Sequence, residues 1–281
     1  MNYRHAYHAG NFADVVKHAV QALIIEHLKR KDGGFLYLDT HAGIGAYDLA
    51  SAQAEKTGEW RSGIGRLLAE DAPPAEILPY LDMVRGMNQG LAELRRYPGS
   101  PLLAHALARP QDRLALCELH PEDNATLKRR FGADPRVGVH HMDGYAALKA
   151  LLPPAERRGL VLIDPPFEVK DEFERIRKGM AQAAKRWPTG LYAIWYPIKA
   201  RAVIDRFHAD LTMIGLPKTL AAEVMTRAGD DPATLNGCGL VIVNPPWKLD
   251  ESLATLLPWL AKVLAPDQGF HRLEWIVEEK G

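Results

Sequence analysis

The chain has 281 residues, 47% hydrophobic and 25% charged, which suits a globular protein of one large α/β domain or a domain with a small insertion. No stretch reaches the roughly 18 apolar residues of a membrane span and the start of the chain has no apolar leader run, so the sequence predicts a cytoplasmic protein with no membrane partner. Lys plus Arg equals Asp plus Glu at 35 each, which excludes broad, sequence-blind coating of nucleic acid and leaves only local basic patches such as Lys128-Arg129-Arg130.

Residues 11–30 place Val15, Val16, Ala19, Val20, Leu23, Ile24 and Leu28 at helical spacing, predicting an amphipathic helix that ends in a basic turn before Gly33-Gly34. Short apolar runs then alternate with helix-forming stretches, the pattern of a mostly parallel sheet with helices on both faces. The strands fall at 35–39, 114–119, 137–142, 159–163, 191–196, 219–225 and 240–244. Helix-sized spacers separate the first five, whereas the Gly-, Asp- and Asn-rich segment 229–239 is too short for a crossover helix, so the last two strands are expected to pair antiparallel. The reading is α/β: a seven-stranded, mostly parallel sheet with an antiparallel last strand. About 75 residues separate the first two strands, more than one crossover needs. This predicts a helical insertion over 52–98 within a Rossmann-like domain formed by 1–51 and 99–281. A helix over 256–263 and an apolar run over 273–277 complete the chain. Cys117 and Cys238 lie in strand-like runs and read as buried thiols, not as a disulfide or metal pair.

The first strand breaks into His41-Ala42-Gly43-Ile44-Gly45, a glycine turn where backbone can approach a ligand at the carboxyl edge of a parallel sheet. It lacks the third glycine of a dinucleotide site and the lysine of a P-loop. The second strand ends in Glu118, able to accept from two ribose hydroxyls, and the third in Asp143-Gly144, able to accept from an adenine amine. Tyr97-Pro98-Gly99-Ser100-Pro101 opens a helix over 102–109, with Ser100 expected at the N-cap and free N–H groups available to a carboxylate. An acidic residue after each of three successive strands matches the sheet of a class I methyltransferase using S-adenosylmethionine.

The fourth strand delivers Asp164-Pro165-Pro166-Phe167 to the same edge. An adenine N6 lone pair is delocalised into the ring until acceptors hold its two hydrogens out of plane, and the Asp164 carboxylate with the Pro165 carbonyl can supply both. Phe167 offers a face for the base. Such a tetrapeptide arises by chance in roughly one chain in a hundred of this length, yet Asn244-Pro245-Pro246-Trp247 fits it as well. Topology separates the two: Asn244 follows the antiparallel last strand and is expected at the opposite edge.

The motifs Tyr3-Arg4-His5, His8-Ala9-Gly10-Asn11, Asp14 with Lys17-His18, Leu38-Asp39-Thr40-His41-Ala42-Gly43, Tyr97-Pro98-Gly99-Ser100-Pro101, Glu118-Leu119-His120-Pro121, Asp143-Gly144 and both tetrapeptides run from end to end of the chain. Together they resemble the bacterial 23S ribosomal RNA adenine-N6 methyltransferases of the adenine-2030 type. The resemblance implies an S-adenosylmethionine site made by His18, His41, Ser100, Glu118, Asp143, Gly144 and Asp164. It also implies a target nucleotide met by Tyr3, His5, Lys17 and Phe167, with Asp164, Pro165 and Phe167 at the reacting centre. One departure is Phe167, where relatives usually carry Tyr. The implied partner is 23S rRNA, protein-free or early in assembly, for a monomer without a metal. The residues alone leave DNA adenine, cytosine N4 and a protein glutamine amide open as acceptors, and a non-catalytic RNA-binding assembly factor as another class.

Overall fold

In the computed structural model, residues 5–278 are described; Tyr3 lies outside them. The strands are β1 (Leu36–Asp39), β2 (Ala46–Asp48), β3 (Arg96–Pro98), β4 (Arg113–Cys117), β5 (Val137–His140), β6 (Gly159–Ile163), β7 (Leu191–Ile198), β8 (Thr219–Met225), β9 (Gly237–Val243) and β10 (Phe270–Val277). The helices are α1 (Phe12–Lys29), α2 (Ala52–Thr57), α3 (Glu59–Ser62), α4 (Ile64–Leu68), α5 (Leu78–Met87), α6 (Ser100–Leu107), α7 (Pro121–Phe131), α8 (Gly144–Ala150), α9 (Glu172–Arg186), α10 (Arg201–Met213) and α11 (Leu249–Leu264). No helix among the described residues is long and apolar enough to cross a membrane.

The main sheet runs β10-β8-β9-β7-β6-β1-β4-β5. Strands β5, β4, β1, β6 and β7 pair in parallel, and β9 inserts antiparallel between β7 and β8. The Rossmann-like α/β arrangement expected from the sequence is present, but with eight strands and not seven. The run at 273–277 belongs to β10, which pairs antiparallel with β8 at the sheet edge, where half-exposed residues leave little hydrophobic signal.

Successive strand residues point to opposite faces. Tyr37, Leu114, Leu116, Leu160 and Leu162 join the core beneath α1, α6, α7 and α11, and Leu36, Leu38, Ala115, Val161 and Ile163 join the core beneath α8, α9 and α10. The 52–98 segment contributes to the first: Ile64, Leu67, Tyr80, Leu81 and Val84 are buried there.

The first helix departs from the amphipathic expectation. Every residue from Ala13 to Ile25 is buried, because α5, α6, α11 and β9 surround it. Its polar residues Asp14, Lys17, His18 and Gln21, spaced three, one and three apart, form a stripe that faces inward. Asn11 caps the helix by accepting from Asp14 N at 2.9 Å. Further along, β2 and β3 form a two-stranded antiparallel sheet that joins the two ends of the 52–98 segment and brings Gly99 N within 2.9 Å of Gly45 O.

Candidate active site

The parallel strands end along one edge, and beyond that edge lies a cavity of about 1040 Å³. Its walls come from His41 to Ile44 after β1, Glu118 and His120 after β4, Asp164 to Phe167 after β6, and Trp195, Pro197 and Lys199 from β7 and the turn after it. Residues 5–8 and residues of α1, β2 and the first turn of α6 also line the cavity. This is the carboxyl edge at which open α/β sheets hold ligands.

Of the residues singled out from the sequence, His5, Lys17, His18, His41, Ser100, Glu118, Asp164, Pro165 and Phe167 line this one cavity. Asp143 and Gly144 sit just outside the lining. Asp143 is the N-cap of α8, its Oδ1 accepting from Tyr145 N and Ala146 N, each at 3.0 Å, while Oδ2 meets Arg175 at 3.3 Å. Gly144 packs so tightly on the first turn that a Cβ there would lie 2.4 Å from the Thr40 carbonyl oxygen. The helix after Pro98 begins one residue earlier than expected: Gly99 is its N-cap and Ser100 its first residue.

The turn after β1 is held by Asp39, fully buried, whose Oδ2 accepts from Tyr37 Oη and Ser100 Oγ at 2.7 Å each and whose Oδ1 accepts from His41 N at 3.2 Å. Burial raises the Asp39 carboxyl to about 6 despite these donors. Gly43 and Gly45 adopt positive φ of 62° and 85°, which glycine accepts without strain. Across the turn, Glu118 accepts from Gly43 N at 2.8 Å and from His120 N at 2.7 Å. Burial raises the Glu118 carboxyl above its ordinary range. Thr40 Oγ1 donates to Leu162 O at 3.0 Å, so the 2.8 Å contact between that hydroxyl and His41 Nδ1 is one in which the ring donates, leaving Nε2 as acceptor.

The N-terminal histidines go to separate partners: His5 Nε2 to Asp14 at 2.8 Å, His8 Nδ1 to Glu59 at 3.0 Å and His18 Nδ1 to Tyr97 Oη at 2.9 Å. Asp14 also accepts from Gly10 N and from Lys17, and Lys17 reaches Asp164 Oδ2 at 2.5 Å. Burial alone would raise Asp14 and lower Lys17; the opposite charges beside each reverse both, holding the carboxyl well below and the ammonium well above its usual range. Phe167 takes a positive φ of 51°, turning its ring edge-on to Phe173 at 5.0 Å and Trp195 at 5.8 Å.

The second tetrapeptide is elsewhere. Asn244 closes β9 at the opposite edge, where its Nδ2 donates to the carbonyls of Pro188 and Gly190 at 2.9 and 2.8 Å, and Trp247 is 81% exposed. Sequence reasoning gave no role to Asp39, Tyr80 or Trp195. Trp195 had no motif to mark it, and Asp39 stood in the Leu38-Asp39-Thr40-His41-Ala42-Gly43 motif without an assigned partner.

Comparison with known proteins agrees along the whole chain. Residues 32–277 match the family model described as ribosomal RNA large subunit methyltransferase D, RlmJ. The chain is 48% identical to ribosomal RNA large subunit methyltransferase J of Escherichia coli strain K12 over 280 residues, spanning 99% of this chain and all of that protein. It is 46% identical to the Haemophilus influenzae protein of the same name over the same shares. A crystal structure of a Legionella pneumophila protein, 35% identical, superimposes with a TM-score of 0.88 over 95% of this chain and 98% of that one.

Proposed function

Because this chain belongs to the family described as ribosomal RNA large subunit methyltransferase D, RlmJ, we propose that it methylates the exocyclic N6 of one adenine in 23S rRNA, adenine 2030, using S-adenosylmethionine. The observation that carries the reading is the convergence of Asp164-Pro165-Pro166-Phe167 with Glu118 and His18 on one cavity at the carboxyl edge of the sheet.

The donor set suits this cofactor. Glu118 is buried at the end of β4 with its carboxylate held by two backbone N–H groups, an orientation suited to a ribose diol. His18 lines the cavity and its buried Nε2 has no hydrogen-bond partner among the described residues, and the helix N-terminus at Ser100 favours a negative group. His41, Asp143 and Gly144 complete the proposed set, with Asp143 also capping α8. When bound, S-adenosylmethionine supplies an electrophilic methyl group. The protein's own task is to make the amine nucleophilic: Asp164 Oδ and the Pro165 carbonyl accept its two hydrogens, and the ring-stiffened prolines fix the direction of that carbonyl. Phe167 and Trp195 present aromatic surface to the base, while His5 and Lys17 line the same cavity. Tyr3 is proposed to meet the same nucleotide.

An adenine stacked in a helix cannot enter such a cavity, so the target is unpaired or flipped. The balanced charge supports a locally contacted RNA; that RNA is proposed to be protein-free or early in assembly, and the enzyme to act as a monomer. Labelled cofactor incubated with protein-free 23S rRNA, intact large subunits and DNA tests the substrate: label is expected in protein-free rRNA. Label in DNA or protein but not in rRNA would overturn the assignment.

A further inference from the structure

Behind His18 lies a hydrogen-bond chain that runs into the insertion. His18, Tyr97 and Tyr80 are each 0% exposed. His18 Nδ1 lies 2.9 Å from Tyr97 Oη, and Tyr97 Oη lies 2.9 Å from Tyr80 Oη. Tyr97 belongs to β3, three residues before Ser100, and Tyr80 belongs to α5.

Three hydrogens, two from the hydroxyls and one from the imidazole, serve two hydrogen bonds, so one is left over, and where it is left gives the chain a direction. Two hydroxyls bring two hydrogens, and among the described residues the Tyr80 hydroxyl has Tyr97 as its hydrogen-bond partner. If His18 Nδ1 carried a proton it would donate to Tyr97, Tyr97 would donate to Tyr80, and the Tyr80 hydrogen would be left buried and unmatched. In the reverse order Tyr80 donates to Tyr97, Tyr97 donates to Nδ1, and every hydroxyl hydrogen is used. The imidazole hydrogen then sits on Nε2, which has no hydrogen-bond partner among the described residues and belongs to a residue that lines the cavity. Burial, with the Lys17 ammonium beside it and against the pull of Asp14, lowers His18 to about 3, so the ring is neutral.

We propose that Tyr97, with its hydroxyl oriented by Tyr80, is a positioning residue that fixes His18 as the Nε2–H tautomer and aims that single N–H at the carboxylate of the bound cofactor. The inference rests on the reading that this cavity takes S-adenosylmethionine. Gln21, one helical turn from His18, donates to the Ser100 carbonyl at 2.8 Å, and Ser100 also lines the cavity in the first turn of α6, where helix N–H groups favour an anion, so the carboxylate meets two kinds of donor. Through Tyr80 the insertion is tied to cofactor binding.

Two measurements test this. In the free protein, the imidazole nitrogen shifts of His18 are expected to show Nδ1 unprotonated and Nε2 protonated; the opposite tautomer would overturn the proposal whatever the cavity binds. Tyr97→Phe is then expected to weaken binding of S-adenosylhomocysteine about tenfold and to leave 5′-methylthioadenosine, which lacks the carboxylate, within about twofold. Tyr80→Phe should act in the same sense but less strongly, and it guards against misfolding of the first variant. An equal loss for both ligands would show a merely structural role and refute the proposal. Failure of the unaltered protein to bind either ligand would sink the cofactor reading and the ligand half of the inference, while the tautomer measurement would still decide the other half.

Discussion

Lys17 Nζ stands 2.5 Å from Asp164 Oδ2, so an ammonium from the first turns of α1 is locked onto the carboxylate that follows β6. The same ammonium is 2.9 Å from Asp14 Oδ1, which makes Lys17 the link between the His5 segment and the proposed reacting centre.

Replacing Lys17 by Met leaves the buried Asp14 and the half-buried Asp164 without the ammonium they share. The expected cost is ~3–5 kcal/mol of folding stability, as for breaking one side of a buried ion pair. Methyl transfer should fall by about a hundredfold or more, because Asp164 loses the partner that orients it. Urea unfolding and single-turnover transfer measure the two effects, and a near-normal rate would remove Lys17 from the account.

The two tetrapeptides make opposite predictions. Asp164→Ala is expected to abolish transfer while leaving Asn244 and its turn intact. Asn244→Ala removes two hydrogen bonds to carbonyls and puts a Cβ-bearing residue without a polar side chain at a φ of 54°, so it should cost ~1–3 kcal/mol of stability and leave transfer per folded molecule unchanged. If Asn244→Ala loses transfer without unfolding and Asp164→Ala keeps it, the wrong copy has been assigned.

Stability should fall with acid. Burial lowers His18 from 6.5 to about 3, and His41 and His208 to about 4. Between pH 6.5 and 4 these rings charge in the unfolded chain but not in the folded one, so the unfolded state binds more protons and stability drops as pH falls. Asp39, raised to about 6, and Glu118, raised by burial, act in the opposite sense, holding protons in the folded state. Three imidazoles against two carboxyls leave a net loss on the order of 1 kcal/mol per pH unit. Urea melts at pH 7.5 and 5.0 measure it; equal or greater stability at pH 5.0 contradicts the balance.

Gly144→Ala would drive a Cβ to 2.4 Å from Thr40 O and 2.9 Å from His41 Cε1. A backbone oxygen in a turn held by Asp39 has little room to yield. The expected result is a loss of ~1–3 kcal/mol with displacement of His41, and roughly tenfold weaker binding of S-adenosylhomocysteine. A thermal melt and a binding isotherm indistinguishable from the unaltered protein would refute the packing argument.

The parallel strands were legible because each is a short apolar run bounded by polar residues, and the placement of Asn244 followed from a spacer too short for a helix. The β2 and β3 strands were not legible: three residues each, paired across the whole insertion, they carry no periodicity. The inward stripe of Asp14, Lys17, His18 and Gln21 is visible as spacing, but a polar stripe on an apolar helix ordinarily faces water. Only the covering by α5, α6 and α11 turns it into a cavity wall, and that covering is tertiary. Tyr80 lies in the insertion far along the chain from His18, and its link through Tyr97 is likewise a product of packing.

The central claim is that Asp164 and Pro165 hold an exocyclic adenine amine in ribosomal RNA. The most direct measurement is mass spectrometry of nucleosides from 23S rRNA treated with the protein and isotopically labelled S-adenosylmethionine, with the modified position mapped. The account predicts label in N6-methyladenosine at a single position and none with Asp164→Ala. Label in another methylated nucleoside, or transfer that survives Asp164→Ala, would contradict it.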